Sequence, residues 1–529
     1  MLSSIFLEKF QGFANGTPIE LKPLTLIFGP NSSGKSSIIR SIRFAQQSFT
    51  SNPNLVANQM LPSGFSVDLG TYTTLVHRHD TSNTVKIGFE VSPSGAASSV
   101  TSLLVQFGPD LRATSLAYSG VLKSKNPDVE DSTFRLVFHS SNEAFRTSDE
   151  ENEKNGPWYL EASSITELKR IDLFFLEESR STLKPKKSLV RSSQKTTSGT
   201  RIETRVGKFD SFRTIEASLN DLSELGWRIS GFRPSRKLPN FVRPKTEAGE
   251  PTDEQDLASI FEQIEKREFL QQGLNSVFEE FTGKVEALFS RGNLDYIGPL
   301  RSVPDRITFV TGAVRSQAPD AKDLAAALAA NEGARRSISD WLLTATDQTY
   351  ELEFLPMSGE ASDIFGNAGA LVLRDVKTDT KVAFADAGVG LSQILPILEK
   401  VAEVPQHWLE IEHSDIPAKT LLIEQPELHL HPKMQGDLMS LFTRRIQESS
   451  GKLQIIAETH SESMLLRLQS EIKRGTISAS EVGVLYVDKD PLDGSTRAQQ
   501  LEISPSGEFV QDWPTSFSEI RLSEIRGTF

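Results

Sequence analysis

Short apolar runs broken by turn residues fill the start of the chain: Ile5 to Phe13, then Asn15-Gly16-Thr17-Pro18, Ile19 to Leu21, and Leu24 to Phe28. Each apolar run has strand length and predicts a strand. A loop rich in Gly and Ser follows, and Ile38, Ile39, Ile42, Phe44 and Ala45 then recur at helical spacing over Ser37 to Phe49. The predicted order is strand, loop, helix. Between Val85 and Leu160 the period becomes two, in Val85 to Val91, Ser102 to Phe107, Phe134 to Phe138 and Trp158 to Leu160, which predicts an antiparallel β subdomain.

Farther on, Leu257, Ile260, Phe261, Ile264, Leu270, Leu274, Val277, Phe278, Phe281, Val285 and Leu288 recur at three and four residues. They predict one long amphipathic helix, or two broken near Gly273, with a face that packs on its own domain or on a subunit. From about Leu294 strand and helix patterns alternate: Lys381 to Phe384, a helix from Ser392, Thr420 to Glu424, a helix from Pro432, Leu453 to Ala457, a helix from Ser461, and Val482 to Val487. The fold class expected is α/β, a mixed sheet with helices plus the antiparallel subdomain. No internal repeat is visible.

Composition narrows this picture. At roughly 100 to 200 residues per domain, 529 residues suffice for three or four units. With no cysteine, disulfides, thiolate metal sites and a cysteine nucleophile are excluded, and a reducing compartment fits. No apolar stretch approaches a membrane span, and Glu8 and Lys9 stand where a secretory signal needs apolar residues, so a cytoplasmic chain without a membrane partner is expected. A net charge of -13 argues against a coat for nucleic acid. One segment, Arg180 to Lys208, reverses that sign, with Glu203 its sole acidic residue. It reads as a solvated loop or as a site for DNA or RNA phosphates.

The chemistry begins at Gly29-Pro30-Asn31-Ser32-Ser33-Gly34-Lys35-Ser36, which matches G-x-x-x-x-G-K-[ST] between a strand and a helix. Successive N–H groups from Ser33 to Ser36, at the N-terminus of the helix entered through Ser37, form an anion nest. Lys35 is placed to reach β and γ phosphates, Ser36 to give its hydroxyl to Mg²⁺, and Gly29 and Gly34 to let the backbone pass close to the ligand. ATP and Mg²⁺ are the cofactors expected.

A second constellation lies far along the chain. Thr420-Leu421-Leu422-Ile423 runs into Glu424-Gln425-Pro426-Glu427-Leu428-His429-Leu430-His431-Pro432, an apolar strand ending in a carboxylate, as a Mg²⁺-linked Walker B element does. Leu453 to Ala457 ends at Glu458-Thr459-His460-Ser461, which puts a His at a strand tip. Asp386-Ala387-Gly388-Val389-Gly390-Leu391-Ser392-Gln393 is a glycine loop opening a helix. The order phosphate loop, glycine-serine loop, Walker B, His strand is that of ABC-type ATPases.

The chain resembles ABC/SMC-type ATPases of the RecF and OLD class, and those with a DUF3696-like C-terminus, through LTLIFGPNSSGKSSI, YIGPLRSVPDR (Tyr296 to Arg306), DAGVGLSQILPIL, LLIEQPELHLHP, ETHSE and GEFVQDWP (Gly507 to Pro514). The resemblance implies an ABC-type head split by an insertion: an N-terminal lobe over 1–165, an insertion over 166–290, and a C-terminal lobe over 291–529. It implies that two heads sandwich two ATP molecules, as a homodimer or higher even oligomer, with Gly390, Ser392 and Gln393 in the loop that completes the other head's site. His460 then senses the γ phosphate. It also implies work of the kind done by ATPase subunits of bacterial anti-phage systems (Septu, PARIS, retron cassettes), which hold and release a separate effector such as an HNH or Toprim-type nuclease.

One departure from the family changes the chemistry. The residue after the Walker B carboxylate is usually a glutamate that orients the attacking water, and here it is Gln425, whose amide cannot accept a proton. Glu424, in place of the usual Asp, is the expected Mg²⁺-side ligand, and Glu427 is the alternative base. Slow hydrolysis is expected, with a scaffold that binds ATP without turnover, or a RecF-like repair ATPase, as rival readings. A further rival is an OLD-like nuclease, using Asp488 and Asp490 as a Mg²⁺ pair, against a turn at Asp490-Pro491-Leu492-Asp493-Gly494. His77 with His79 and His429 with His431 could each offer two imidazoles to a metal, without an evident third ligand. Phe13 is a core residue or an adenine stack, and Arg301 and Arg306 are ion-pair formers or nucleotide contacts.

Overall fold

The computed structural model describes residues 1–50, 60–92, 101–111, 113–122, 132–140, 287–290, 292–301, 305–309, 321–358, 368–402 and 418–511, with short strands at 158–160, 171–172, 214–215, 228–230 and 240–242. The basic segment Arg180 to Lys208, the amphipathic stretch before Ala287, and the end of the last motif, Asp512 to Pro514, lie outside the described residues. Two compact units divide the chain: residues 1–48, 61–87 and 287–529 form the first, and 49–60 and 88–286 the second.

The first unit is built on a six-stranded sheet in the order Leu294–Ile297, Lys419–Glu424, Leu453–Glu458, Leu24–Phe28, Val482–Lys489, Thr496–Leu501. All neighbours are parallel except the last pair, an antiparallel hairpin. Leu24–Phe28 and Leu453–Glu458 are buried at every position, the signature of parallel strands covered on both faces. Their nearly unbroken apolar runs are what the sequence offered as strands. Helices Lys35–Thr50, Val389–Ala402, Pro432–Glu448 and Glu462–Lys473 connect or flank these strands, and Leu438, Met439, Phe442, Met464 and Leu468 join Leu26, Leu421 and Ile455 in one core.

Beside it the first unit carries a smaller antiparallel sheet of Thr308–Phe309, Tyr350–Pro356, Ala368–Asp375 and Lys381–Ala383. Helix Glu332–Ala345 turns Ile338, Trp341 and Leu342 into the common core. Asn331 caps its start, its side chain accepting from the Ala334 N–H at 3.0 Å, which satisfies one of the orphan donors of a helix N-terminus.

The second unit contains the antiparallel strands expected from the period of two: Thr101–Phe107 pairs with Ala113–Leu122, which pairs with Ser132–Ser140, which pairs with Trp158–Leu160. Leu103, Val105 and Phe107 alternate into its interior.

One boundary differs from expectation. The first strand is Leu2–Glu8, paired with Thr17–Glu20, and does not continue to Phe13. Lys9 and Gln11 take φ of 57° and 47° and turn the chain, so that Phe10 and Phe13 are both fully buried. Apolar residues packed in a turn imitate a strand in the sequence. Phe13 is therefore a core residue.

Candidate nucleotide site

The phosphate loop leaves the carboxyl end of Leu24–Phe28, a strand flanked on both sides by parallel neighbours, where ligands of open α/β sheets collect. Gly29 and Gly34 have φ of 145° and 111°, and a Cβ at Gly29 would stand 1.9 Å from the Val487 carbonyl. Both glycines are thus required by backbone geometry. The loop is propped from the last hairpin: Thr496 Oγ1 donates to the Ser33 carbonyl at 2.9 Å, and a Cβ on Gly34 would meet that same hydroxyl at 2.5 Å. Asn31 and Ser32 are exposed at the tip, while Ser33, Lys35 and Ser37 are buried.

Inside the loop Lys35 Nζ donates to the carbonyls of Gly29 and Pro30 at 3.0 and 2.8 Å. It also lies 3.8 Å from Glu458 Oε1, with both side chains almost wholly buried. Ser36 Oγ donates to Glu458 Oε2 at 2.7 Å. Burial pushes the Lys35 ammonium below its usual range, and Glu458 and Glu427 pull it back. The loop fits a polyphosphate on the evidence of its own atoms. Both glycines hold the positive φ that shapes the loop, and the buried Ser33 Oγ has no partner among the described residues. Lys35 and Ser36 are the groups that would hold phosphate and Mg²⁺.

Glu424 ends the Walker B strand in register with Glu458 of the next strand. Its carboxyl is hydrogen-bonded by Tyr296, whose ring carries the Arg43 guanidinium 3.4 Å from its centroid. Burial, reinforced by Glu458, raises Glu424 above the usual carboxylate range, against the pull of Arg40 and Arg43. Burial and the neighbouring Glu424 likewise push the Tyr296 hydroxyl up to about 12.

Gln425 takes a left-handed φ of 47°, and its N–H donates to the Glu458 carbonyl at 2.8 Å. Glu427 reaches the strand tip: Oε1 accepts the His460 N–H at 2.7 Å and Oε2 the Thr459 hydroxyl at 2.8 Å. Burial raises Glu427 and these donors oppose it. His460, half-buried, is held below its usual value by burial and by the charge of Lys35. The P-loop lysine, Glu427, Glu458 and His460 are thus gathered at one end of the sheet.

Arg301 has a structural place that the sequence left open. Its guanidinium donates to the carbonyls of Gly298, Gln393, Glu424 and Gln425, at 2.9, 3.1, 2.8 and 3.0 Å. Its backbone exchanges bonds with the Gln393 amide, and burial lowers its pKa to about 10. Gln393 is therefore engaged within its own head. Ser392 is also buried, its hydroxyl donating to the Val389 carbonyl at 3.1 Å. Gly390 lies against the loop after Walker B, where a Cβ would stand 2.6 Å from the His429 carbonyl. Arg306 pairs with Asp386 at the surface.

The remaining candidates have ordinary structural tasks. His431 Nδ1 accepts the Lys433 N–H as a helix cap. The rings of His77 and His79 contact the carbonyls of Gln11 and Thr73 at 2.8 and 2.6 Å. Among the described residues no group of three or more His, Asp or Glu could hold a metal. Asp490 binds Arg497 across the hairpin and accepts the Leu492 N–H at 2.7 Å, so it opens the hairpin turn, while Asp488 lies in strand Val482–Lys489 opposite Arg497. Among the described residues no helix is long and apolar enough to cross a membrane.

Glu458, Tyr296, Arg43 and Thr496 were not singled out from the sequence. For Glu458 the signal was present, an apolar strand ending in a carboxylate, the same signal that marked Glu424. Compared with solved structures, the chain is similar to an SMC head domain from Thermotoga maritima, at 11% identity, covering 95% of this chain and 99% of that one with a TM-score of 0.33. It is also similar to an Smc head domain with an extended coiled coil bound to the C-terminal domain of ScpA derived from Pyrococcus furiosus, at 12% identity, 99% of each chain and a TM-score of 0.36. No curated protein matches by sequence. The model of the AAA ATPase domain matches residues 1–465, phosphate loop, Walker B strand and His strand included, and the chain belongs to that family.

Proposed function

We propose that this protein is a Mg²⁺-dependent ATPase of slow turnover whose nucleotide-bound heads pair and thereby control a separate effector. The observation that carries the proposal is the buried cluster at the phosphate loop, in which Lys35 and Ser36 share Glu458 while the position after Walker B is Gln425. ATP with Mg²⁺ supplies the phosphoanhydride and the metal charge. Lys35 neutralises phosphate, Ser36 serves the metal, and the buried surroundings keep both interactions strong.

Slow turnover is supported by the state of the acids. Gln425 offers an amide where a base is needed, and Glu427 has both oxygens already accepting hydrogen bonds. Pairing of heads, as a homodimer or higher even oligomer, is supported by the glycine loop at Gly388 to Gly390, which opens a helix beside the loop after Walker B. The effector, a nuclease of HNH or Toprim type in anti-phage defence, is supported by the sequence resemblance.

Phosphate release and particle mass, measured together with and without Mg·ATP, test the reading. Turnover below about 1 s⁻¹ is expected, low against typical enzymes, together with a rise in mass on adding nucleotide. Gln425→Glu is expected to raise turnover by about 100-fold, the lower end of general-base contributions. Brisk turnover that survives Glu427→Gln and does not rise in Gln425→Glu overturns the slow mechanism.

A further inference from the structure

We infer that Glu458, in place of Glu424, is the carboxylate that positions Ser36 for Mg²⁺ beside the phosphate loop. The inference rests on the ATPase reading above and deepens its account of the metal.

Geometry argues for it in three ways. The strand carrying Glu458 is the direct neighbour of the P-loop strand, with Glu458 opposite Ile27, whereas Glu424 lies one strand farther away, about 5 Å more. Glu458 already accepts the Ser36 hydroxyl, the group that the motif dedicates to Mg²⁺, at 2.7 Å. The carboxyl of Glu424 is bonded by Tyr296, with Glu458, Arg40 and Arg43 nearby.

Charge points the same way. Glu458 and Lys35 form a pair with side chains 8% and 3% exposed. Desolvating two charges to this degree is expensive and is sustained by the partners' mutual attraction. Glu458 thus accepts the Ser36 hydroxyl and lies in ion-pair range of Lys35, whose Nζ also donates to the Gly29 and Pro30 carbonyls. A cation beside Ser36 takes up the carboxylate's charge and leaves Lys35 to the phosphates. Glu458 therefore links Mg²⁺ to nucleotide affinity, acting through Ser36 as a positioning residue. Substituting Gln keeps an acceptor for Ser36 and removes only the charge.

The test is the affinity of the full-length protein for a fluorescent ATP analogue, with and without Mg²⁺, in wild type, Glu458→Gln, Glu458→Asp and Glu424→Gln, each checked by thermal melting. Mg²⁺ is expected to tighten wild-type binding. Glu458→Gln should lose about 10-fold or more of that gain, the scale of lost support to a metal ligand, partly because Mg²⁺-free binding improves once Lys35 is released. Glu458→Asp should recover part of the gain, and Glu424→Gln should keep most of it. An unchanged Mg²⁺ gain in Glu458→Gln, or a larger loss in Glu424→Gln, overturns the inference while leaving the ATPase reading intact. Should Glu458→Gln fail to fold, an unchanged gain in Glu458→Asp overturns it equally, since the shorter side chain draws the charge away from Ser36. Wild-type protein that binds no nucleotide in either condition overturns the ATPase reading itself.

Discussion

His460 sits at a strand tip within the field of a buried lysine, and that placement has a consequence in pH. Its ring is held below 6.5 chiefly by burial and then by Lys35. Between the folded value and 6.5 the unfolded chain binds more protons than the folded one, so stability rises with pH across that window. It is lost as pH falls below about 6.5, and the loss levels off once the folded value is passed. Glu424 and Glu427, raised above 4.5 by burial, act with the opposite sign: their contribution is fullest below 4.5 and declines as pH rises through their folded values. The two trends overlap, so His460 is isolated by difference. Urea unfolding of wild type and His460→Gln, compared at about pH 5.5 and about pH 7.5, should show a shallower rise in stability with pH in the variant. Equal slopes would mean that His460 titrates normally. A neutral imidazole at physiological pH is a donor or acceptor near phosphate without adding to the charge of Lys35.

Elements are joined around the site by one side chain. Arg301 belongs to the segment that follows strand Leu294–Ile297, and it ties the end of the Walker B strand to helix Val389–Ala402 through the carbonyls of Glu424, Gln425 and Gln393. One guanidinium thus bonds both the glycine-loop helix and the backbone of Gln425. Arg301→Ala removes four charge-assisted hydrogen bonds to backbone carbonyls and is expected to destabilise the fold by about 3 kcal/mol. Arg301→Lys should recover less than half, because a single ammonium cannot span the positions that a planar fork reaches. Denaturant midpoints with unchanged slopes would measure both, and an Arg301→Ala protein as stable as wild type would remove the staple from the account. The sequence contained Arg301 within a recognisable motif yet could not assign its task, since Gln393, Glu424 and Gln425 lie 92, 123 and 124 residues away. The phosphate loop and Walker B strand were legible because each is a local pattern, an apolar strand running into a polar turn. Sheet order was not, and order is what sets Glu458 beside Ser36 across 422 residues and Thr496 beside Ser33 across 463. Gln425 was legible as a chemical departure, while its left-handed backbone, held by tertiary bonds to Glu458 and Arg301 as well as by the local Leu428 N–H, was not.

For the whole molecule, the exposed apolar side chains bear on the proposed pairing of heads. A single exposed Leu on a surface carries no meaning. Leu300, however, is 90% exposed and adjoins Arg301, while Val389, 58% exposed, opens the helix that carries Gln393. Arg301 and Gln393 bond to each other through side chain and backbone, so the two apolar residues stem from segments held in fixed relation. Ile307, 50% exposed, follows Arg306, whose pair with Asp386 anchors it to the approach of the same glycine loop. An apolar rim around a glycine loop suits contact with a second copy of this chain, in line with the pairing proposed above. Leu300→Asp tests it at little cost to the fold, since the side chain is already in solvent. The variant should bind nucleotide with wild-type affinity and melt normally, because Leu300 contributes nothing to the phosphate loop, yet a buried unpaired carboxylate at an interface costs several kcal/mol. The rise in particle mass on adding Mg·ATP should accordingly disappear. Persistence of that rise in Leu300→Asp would place the pairing surface elsewhere on the molecule, and loss of nucleotide affinity together with it would mean that Leu300 acts on the site and not on association.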